Sequence, residues 1–202
     1  MPTKFNIEDF KLPEGHDPHG KAIHQTMARL SYFAHKDQKY GLILPYTYHL
    51  ADVEAKILLV NSKRDILVMM DLMGYKEEYS FEGMKNILKA LALGHDLIED
   101  TFVTEDTLAQ LGFPNFFISA IVAMTKRDGE TLEEYINRLI MNPMAIMCKK
   151  ADSFSNLQHS LHDGDEGAIK RVKKYTQVLR YLSGVDKVSF PEGFTFGDAY
   201  AG

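Results

Sequence analysis

The chain has 202 residues, of which 45% are hydrophobic and 25% charged, and its formal net charge is -5. This balance is typical of one globular domain, and it provides no global positive field that would hold nucleic acid or an anionic membrane surface. Because no stretch approaches the roughly 18 apolar residues of a membrane span and the polar start does not resemble a signal peptide, we expect a cytoplasmic protein without a membrane partner.

The first residues, 1–20, contain prolines and glycines without a sustained periodicity, which predicts an irregular N-terminal leader. From Lys21 onwards, apolar residues recur at three- and four-residue spacing and predict the first helix. A loop then ends near Pro45, and a second helix is predicted to start between Tyr48 and Asp52.

Later segments carry the same helical periodicity, and several begin with a helix-capping residue. Helices are predicted over Phe81–Asp100, Thr104–Leu111, Pro114–Met124, Thr131–Met141, Pro143–His162 and Glu166–Leu182. Residues 184–202 are again rich in glycine and predict an irregular C-terminal tail. Since strand-like alternation is sparse, the sequence predicts an all-α protein with a single helical domain over residues 21–183.

The segment LGHDLIEDT, residues 93–101, places a histidine and three acids side by side in an apolar run. On a helix, Asp96, Glu99 and Asp100 share one face, and His95 lies about 100° round from Asp96. Like charges at this spacing repel, so a compensating cation is expected. Imidazole and carboxylate ligands together suit Mn, Fe, Zn or Ni. The alternative interpretation is a solvated acidic face with an incidental histidine.

One helix cannot enclose a metal ion, so other segments must supply further ligands. The best candidates are His49, near a helix start in LPYTYHLADV, and Asp152, in MCKKADSFSNL. Taken alone, His49 is equally well interpreted as a core or surface histidine, and Asp152 as an ordinary surface acid.

Three segments carry a family resemblance in chain order: AHKDQKYG to LPYTYHLADV (34–53), LGHDLIEDT (93–101) and KKADSFSN (149–156). Together they resemble the HD-domain metal-dependent phosphohydrolases, and among these the hydrolase domain of RelA/SpoT proteins and their small stand-alone relatives. The similarity covers residues 21–182. It implies an HD-domain helical fold with one divalent metal, most often Mn²⁺. The metal ligands that it implies are His49, His95, Asp96 and Asp152.

The same resemblance implies roles for further residues. Glu99 and Asp100 are expected to be catalytic, orienting or deprotonating the attacking water. The substrate-binding residues are expected to be Lys39, Tyr40, Lys149 and Asn156. Tyr175, on the last predicted helix, is interpreted as a core residue rather than a substrate contact.

The resemblance implies a nucleotide phosphohydrolase, most like a (p)ppGpp 3'-pyrophosphohydrolase. The alarmone hydrolases usually carry an arginine that stacks on guanine after their His-x-x-Gln element, whereas this chain has Lys39 and Tyr40 there, in HKDQKYG. Alternatives are an HD hydrolase of deoxynucleoside triphosphates or nucleoside monophosphates, and a non-catalytic nucleotide-binding HD protein. The segment between His49 and His95, which includes the run MGYKEEYSFEGMK (73–85), is interpreted as an insertion that reshapes the pocket, and the sequence leaves the role of residues 65–90 open. The sequence leaves the exact nucleotide and any homo-oligomer open.

Overall fold

The structure is a computed structural model, and it describes residues 4–163 and 165–184. These residues form helices joined by short loops, which confirms the predicted all-α class. The helices are α1 (Lys21–Ala34), α2 (Tyr46–Val60), α3 (Lys63–Leu72), α4 (Phe81–Gly94), α5 (Leu97–Asp100), α6 (Glu105–Gln110), α7 (Asn115–Met124), α8 (Leu132–Leu139), α9 (Pro143–His162) and α10 (Ala168–Leu182). A 3-10 helix covers Ile7–Phe10, and a short antiparallel hairpin pairs β1 (Lys39–Tyr40) with β2 (Leu44–Pro45). Beyond residue 184, the predicted tail lies outside the described residues.

Helix α4 lies at the centre of the fold and packs against α1, α2, α7 and α9. Its sequence, FEGMKNILKALALG, is apolar on nearly every side, as expected for a helix enclosed by others. Ser80 caps it by accepting a hydrogen bond from the backbone N–H of Gly83. The C-terminal end of α4 therefore lies deep in the molecule, beside α2 and α9.

From residue 4 onwards, the leader is irregular apart from its 3-10 turn, and it packs along the core. The ring of Phe10 is buried and stacks on Phe5, with ring centroids 5.5 Å apart. The carbonyl of Pro18 accepts a hydrogen bond from the backbone N–H of Ser80 and lies so close to Gly83 that a Cβ there would meet its oxygen at 2.1 Å. Glycine at position 83 thus allows the leader to lie directly on α4.

The helix predicted over Phe81–Asp100 is wrong in one respect, because the structure divides it into α4 and α5. The break falls at Asp96, whose backbone leaves the helical region with φ -102° and ψ 2°. His95 donates a hydrogen bond from Nδ1 to the carbonyl of Ala92 at 2.7 Å. That carbonyl is the one to which the Asp96 amide would donate in a continuous helix, so the imidazole competes with the helical hydrogen bond.

Helix α3 was not predicted, and it occupies part of the segment interpreted as an insertion. Ser62 and Asp65 form a reciprocal capping box at its start. After α3, the rings of Tyr75 and Tyr79 pack on Phe116, with centroids 4.7 and 5.6 Å away. Tyr79 also packs edge-on against His16 of the leader. This part of the segment therefore lies against α7 and the leader, and it does not line the cavity described below.

The second helix begins at Tyr46, directly after Pro45, which is earlier than predicted. Proline cannot donate a backbone hydrogen bond and its φ is fixed, so it serves well at a helix start. Across the described residues, no helix is both long enough and apolar enough to cross a membrane.

Candidate metal centre

The four predicted metal ligands come from three parts of the fold and meet at one point. His49 lies in the first turns of α2, His95 and Asp96 lie at the break after α4, and Asp152 lies midway along α9. The relative exposure of His49, His95 and Asp152 is 2%, 1% and 4%. Buried polar groups of this kind require partners, because water cannot reach them.

The distances between these ligand atoms suit a shared metal ion. Nε2 of His49 lies 3.4 Å from Oδ1 of Asp152 and 3.8 Å from Oδ2 of Asp96. Nε2 of His95 lies 2.8 Å from the same Asp96 oxygen and 3.6 Å from Oδ1 of Asp152. Ligands of a first-row metal lie about 2.0–2.2 Å from the ion and therefore about 3–3.6 Å from one another. His49, His95 and Asp96 each present one atom within 4.8 Å of the other two.

The tautomer of His95 leaves its inward nitrogen available to a cation. Nδ1 carries a proton, because the Ala92 carbonyl that it contacts can only accept a hydrogen bond. Among the described residues, Nε2 has no partner in hydrogen-bonding geometry, although the Asp96 oxygen is close. A histidine fixed in this way by a backbone carbonyl has the usual arrangement of a metal ligand.

The charges around His95 also favour a cation. Burial disfavours the imidazolium form, but the carboxylates of Asp96 and Asp152 outweigh burial and raise the pKa of His95 well above its usual range. Burial likewise opposes ionisation of Asp96, yet the imidazoles of His95 and His49 lower its pKa to about 2. Asp96 is therefore ionised, and the positive charge that it attracts is either a proton on Nε2 of His95 or a metal ion that replaces that proton.

Asp152 is held by two neighbours on its own helix. Nζ of Lys149 lies 2.8 Å from Oδ2, and Nδ2 of Asn156 donates to Oδ1 at 2.5 Å. Burial alone would raise the pKa of Asp152, but Lys149 and the two histidines lower it well below its usual range. Lys149, predicted to contact substrate, is thus already paired with a ligand carboxylate, and its ammonium also lies 5.4 Å from the ring centroid of Tyr135.

The two predicted catalytic acids have different surroundings. Oδ2 of Asp100 lies 3.2 Å from the hydroxyl of Tyr46, which also donates to Asp96, so Asp100 is joined to the ligand group. Burial and the nearby Asp96 charge raise the pKa of Asp100. Glu99 instead accepts a hydrogen bond from the backbone N–H of Lys126 at 2.9 Å. The helical spacing alone predicted that both acids share one face. In the structure, each acid instead has its own surroundings.

A cavity of about 820 Å³ opens beside the ligand group, between the hairpin and helices α9 and α10. Tyr40 and Asn156, both predicted to bind substrate, line this cavity, and the Tyr40 hydroxyl donates to Oδ1 of Asn156 at 2.9 Å. The Tyr40 ring is stacked on His49, with centroids 4.6 Å apart and planes at 9°. Lys39 is exposed on the same strand. Tyr175, interpreted as core, instead lines the cavity and is half-buried.

Sequence reasoning missed three residues that surround Asp100, namely His35, Gln38 and Tyr46. All three lie in the first of the three segments, which carried His49 as its only metal ligand. The tyrosine of the Pro-Tyr pair and the His-x-x-Gln spacing were visible there. Gln38 and Tyr46 contact Asp100, and His35 contacts both of them. These contacts depend on tertiary structure, which the sequence spacing does not reveal.

Neither a comparison with models of known protein families nor a comparison with curated proteins finds a match for this chain. The structure therefore defines only a broad class of protein. The protein is helical, and His49, His95 and Asp96 form a group that could hold a metal ion. Any more specific function has to be argued from the chemistry of this group and of the cavity beside it.

Proposed function

We propose that the protein is a metal-dependent nucleotide phosphohydrolase of the HD class, most like a (p)ppGpp 3'-pyrophosphohydrolase acting in the cytoplasm. The observation that carries the proposal is the buried Nε2 of His95, which lacks a hydrogen-bond partner among the described residues and faces carboxylate oxygens of Asp96 and Asp152. A lone pair directed at two carboxylates is unfavourable unless a proton or a metal ion lies between them.

The donor set fits a divalent first-row metal. His49 and His95 would supply two nitrogen ligands, and Asp96 and Asp152 would supply oxygen ligands whose two charges balance those of the ion. Mn²⁺ accepts such mixed ligands and is our first choice. When bound, the ion neutralises charge on the phosphoryl group and lowers the pKa of a water.

Asp100 is the proposed proton acceptor of the reaction. Its carboxylate lies beside the ligand Asp96, and both contact the hydroxyl of Tyr46. A general base works best when its pKa is close to the working pH, and the pKa of Asp100 is shifted upwards. Burial and the same carboxylates raise the pKa of Tyr46 far above its usual range, so its hydroxyl stays protonated and acts as a donor.

The cavity supports a nucleotide as the substrate. Its volume falls within the roughly 300–1,000 Å³ of typical ligand pockets, and it lies next to the proposed metal ligands. The amide of Asn156 and the rings of Tyr40 and Tyr175 can contact a sugar or a base. The phosphate to be cleaved would lie at the end of the cavity nearest His49 and Asp152.

A hydrolase of deoxynucleoside triphosphates or nucleoside monophosphates is the second candidate, and the hairpin favours it. One face of the Tyr40 ring is covered by His49, and His159 and Tyr46 lie edge-on to the same ring, so stacking of a base on Tyr40 is restricted. The hairpin tip carries Leu42 and Ile43, which are 97% and 81% exposed, in place of a guanidinium. The hairpin tip therefore offers apolar contacts rather than a guanidinium for stacking on guanine, and the cavity's guanidinium, Arg171, belongs to α10.

The proposal is tested by measuring phosphate and pyrophosphate release with Mn²⁺ from ppGpp, pppGpp, dNTPs and nucleoside monophosphates. The test variant is Asp96→Asn, and the matched control is Asp106→Asn, at an exposed position on α6. We expect turnover of one nucleotide class by the wild type and the control, and none by Asp96→Asn. No turnover of any nucleotide by the wild type would favour the non-catalytic nucleotide-binding alternative.

A further inference from the structure

Three side chains outside the ligand set form a connected group beside Asp100. His35 directly follows α1, Gln38 lies before the hairpin, and Tyr46 is the first residue of α2. His35 is completely buried. None of the three is a predicted metal ligand, so the contacts of Gln38 and Tyr46 with the Asp96–Asp100 turn, and of His35 with both of them, require a separate explanation.

The side-chain amide of Gln38 has one orientation that satisfies both of its neighbours. Nε2 donates to the backbone carbonyl of Asp100 at 2.6 Å, because a carbonyl can only accept. Oε1 therefore accepts a hydrogen bond from Nδ1 of His35, also at 2.6 Å. Burial lowers the pKa of His35, so the ring is neutral and carries its one proton on Nδ1.

His35 and Gln38 together fix the ring of Tyr46. The rings of His35 and Tyr46 are stacked, with centroids 4.7 Å apart and planes at 14°. The backbone N–H of Tyr46 donates to the carbonyl of Gln38 at 3.1 Å. Through the Tyr46 hydroxyl, the group reaches the carboxylates of Asp96 and Asp100. It therefore contacts Asp100 both at its backbone and at its side chain.

The Asp100 turn needs such support, because its own helix provides little. Helix α5 is a single turn, and the backbone becomes extended at Thr101, with φ -134° and ψ -175°. An isolated turn of this length is not stable by itself. Asp100 is also more exposed than the metal ligands, so core packing does not fix its position.

We infer that Gln38 is a positioning residue, which sets the place of the Asp100 carboxylate relative to Asp96 by holding the Asp100 carbonyl and supporting His35 and Tyr46. The inference rests on the proposed function, in which Asp100 takes the proton. It also explains why His35 and Gln38 are three residues apart. That spacing lets the Gln38 backbone N–H close a turn on the His35 carbonyl, at 3.0 Å, while the two side chains meet.

The test compares Gln38→Met with wild type, using Mn²⁺ and the nucleotide that the wild type turns over best. Methionine keeps the length of the side chain but removes its donor and acceptor. A displaced catalytic group lowers kcat, and we expect a loss of about 10- to 100-fold. KM and the rise in melting temperature on adding Mn²⁺ should stay within about twofold of wild type. The matched control, Gln110→Met at an exposed position on α6, should behave as wild type.

A second comparison separates positioning from a general structural effect. In an Asp100→Asn background, Gln38→Met should cause no further loss of kcat, because Gln38 acts through Asp100. If Gln38→Met does not fold, Gln38→Glu takes its place. This variant keeps the acceptor for His35 but replaces the donor to Asp100 with a carboxylate oxygen and adds a negative charge, so a loss of kcat at least as large is expected.

The outcomes separate this inference from the proposed function. Wild-type turnover with an unchanged kcat in folded Gln38→Met overturns the positioning role alone. An equal loss in the Asp100→Asn background overturns it as well, since Gln38 would then act elsewhere. If the wild type hydrolyses no nucleotide, the proposed function and the inference that rests on it both fail.

Discussion

Nε2 of His49 lies 3.4 Å from Oδ1 of Asp152, so α2 and α9 present a histidine and a carboxylate to the same point in the core. Each helix packs on α4, whose end delivers His95 and Asp96. Ion-binding groups in an apolar core are costly to bury without a counter-charge. The contacts around this point lead to separate predictions about stability and activity.

The first prediction concerns the buried pair of Lys149 and Asp152. Asp152→Asn leaves the Lys149 ammonium buried without its partner, and breaking a buried ion pair from one side costs about 3–5 kcal/mol. In metal-free buffer, urea unfolding should show a loss of that size. Adding Lys149→Met should restore part of the free energy of unfolding, because it removes the unpaired charge.

The control for this pair is Lys85, whose bond to Glu82 lies at the surface. Lys85→Met should change the free energy of unfolding by less than about 1 kcal/mol. A double variant that is less stable than Asp152→Asn alone would contradict the assigned role of Lys149.

The second prediction concerns metal removal. An ion that binds only the folded chain stabilises it by about 2.7 kcal/mol at a concentration of 100 times its dissociation constant, which corresponds to a rise in melting temperature of about 5–10 °C. Mn²⁺ should produce this rise, and a chelator should reverse it. His95→Gln should abolish it, whereas His162→Gln, an exposed change at the end of α9, should not. The same rise in His95→Gln would place the metal elsewhere.

The third prediction concerns pH and the pair of Glu130 and Arg138. The guanidinium bonds both carboxylate oxygens, at 2.8 and 2.9 Å, and this holds the pKa of Glu130 at about 2, below its usual 4.5. The pair therefore stabilises the fold fully above about pH 4.5, and this contribution is lost as the pH falls towards 2. Arg138 also donates to the Thr125 carbonyl, next to the Lys126 amide that binds Glu99.

The measurement is urea unfolding of wild type and Glu130→Gln between neutral pH and pH 3. The variant should be less stable near neutrality, and the difference should narrow below about pH 4.5. Glu133→Gln, an exposed change on the next helix, serves as the control. A difference that stays constant over the whole range would show that the Glu130 charge has no part in it.

The fourth prediction concerns Tyr40. Tyr40→Phe keeps the stack on His49 but removes the hydroxyl that donates to Asn156. Loss of one hydrogen bond of about 0.5–1.5 kcal/mol should raise KM by roughly 2- to 10-fold and leave Mn²⁺ binding unchanged. Tyr40→Leu should also weaken Mn²⁺ binding, because it removes the ring that covers His49. Identical behaviour of the two variants would contradict this prediction, because the ring that Tyr40→Phe retains would then contribute nothing to Mn²⁺ binding.

Most of the fold could be predicted from the sequence, and the exceptions have physical causes. Helix α3 was missed because its apolar residues lie on more than one side. Ile66, Met69 and Met70 are buried, whereas Leu67, Val68 and Leu72 are 38–49% exposed, which hides the helical stripe. The break at His95 depends on one side-chain hydrogen bond to Ala92, and spacing alone does not indicate it.

The candidate site could be predicted in outline only. Residue types and motif spacing selected His49, His95, Asp96 and Asp152, and these do meet in space. The sequence could not show that Lys149 is already paired with Asp152. Such pairings depend on which long side chains turn inwards after the helices pack.

The central claim is that the buried histidines and aspartates form a metal centre. Isothermal titration calorimetry of the metal-free chain with Mn²⁺ tests this claim most directly. We predict one Mn²⁺ per chain for wild type and for the exposed control Asp106→Asn, and loss of that binding in Asp96→Asn with the fold retained. Absence of binding by wild type, or unchanged binding by folded Asp96→Asn, would contradict the claim.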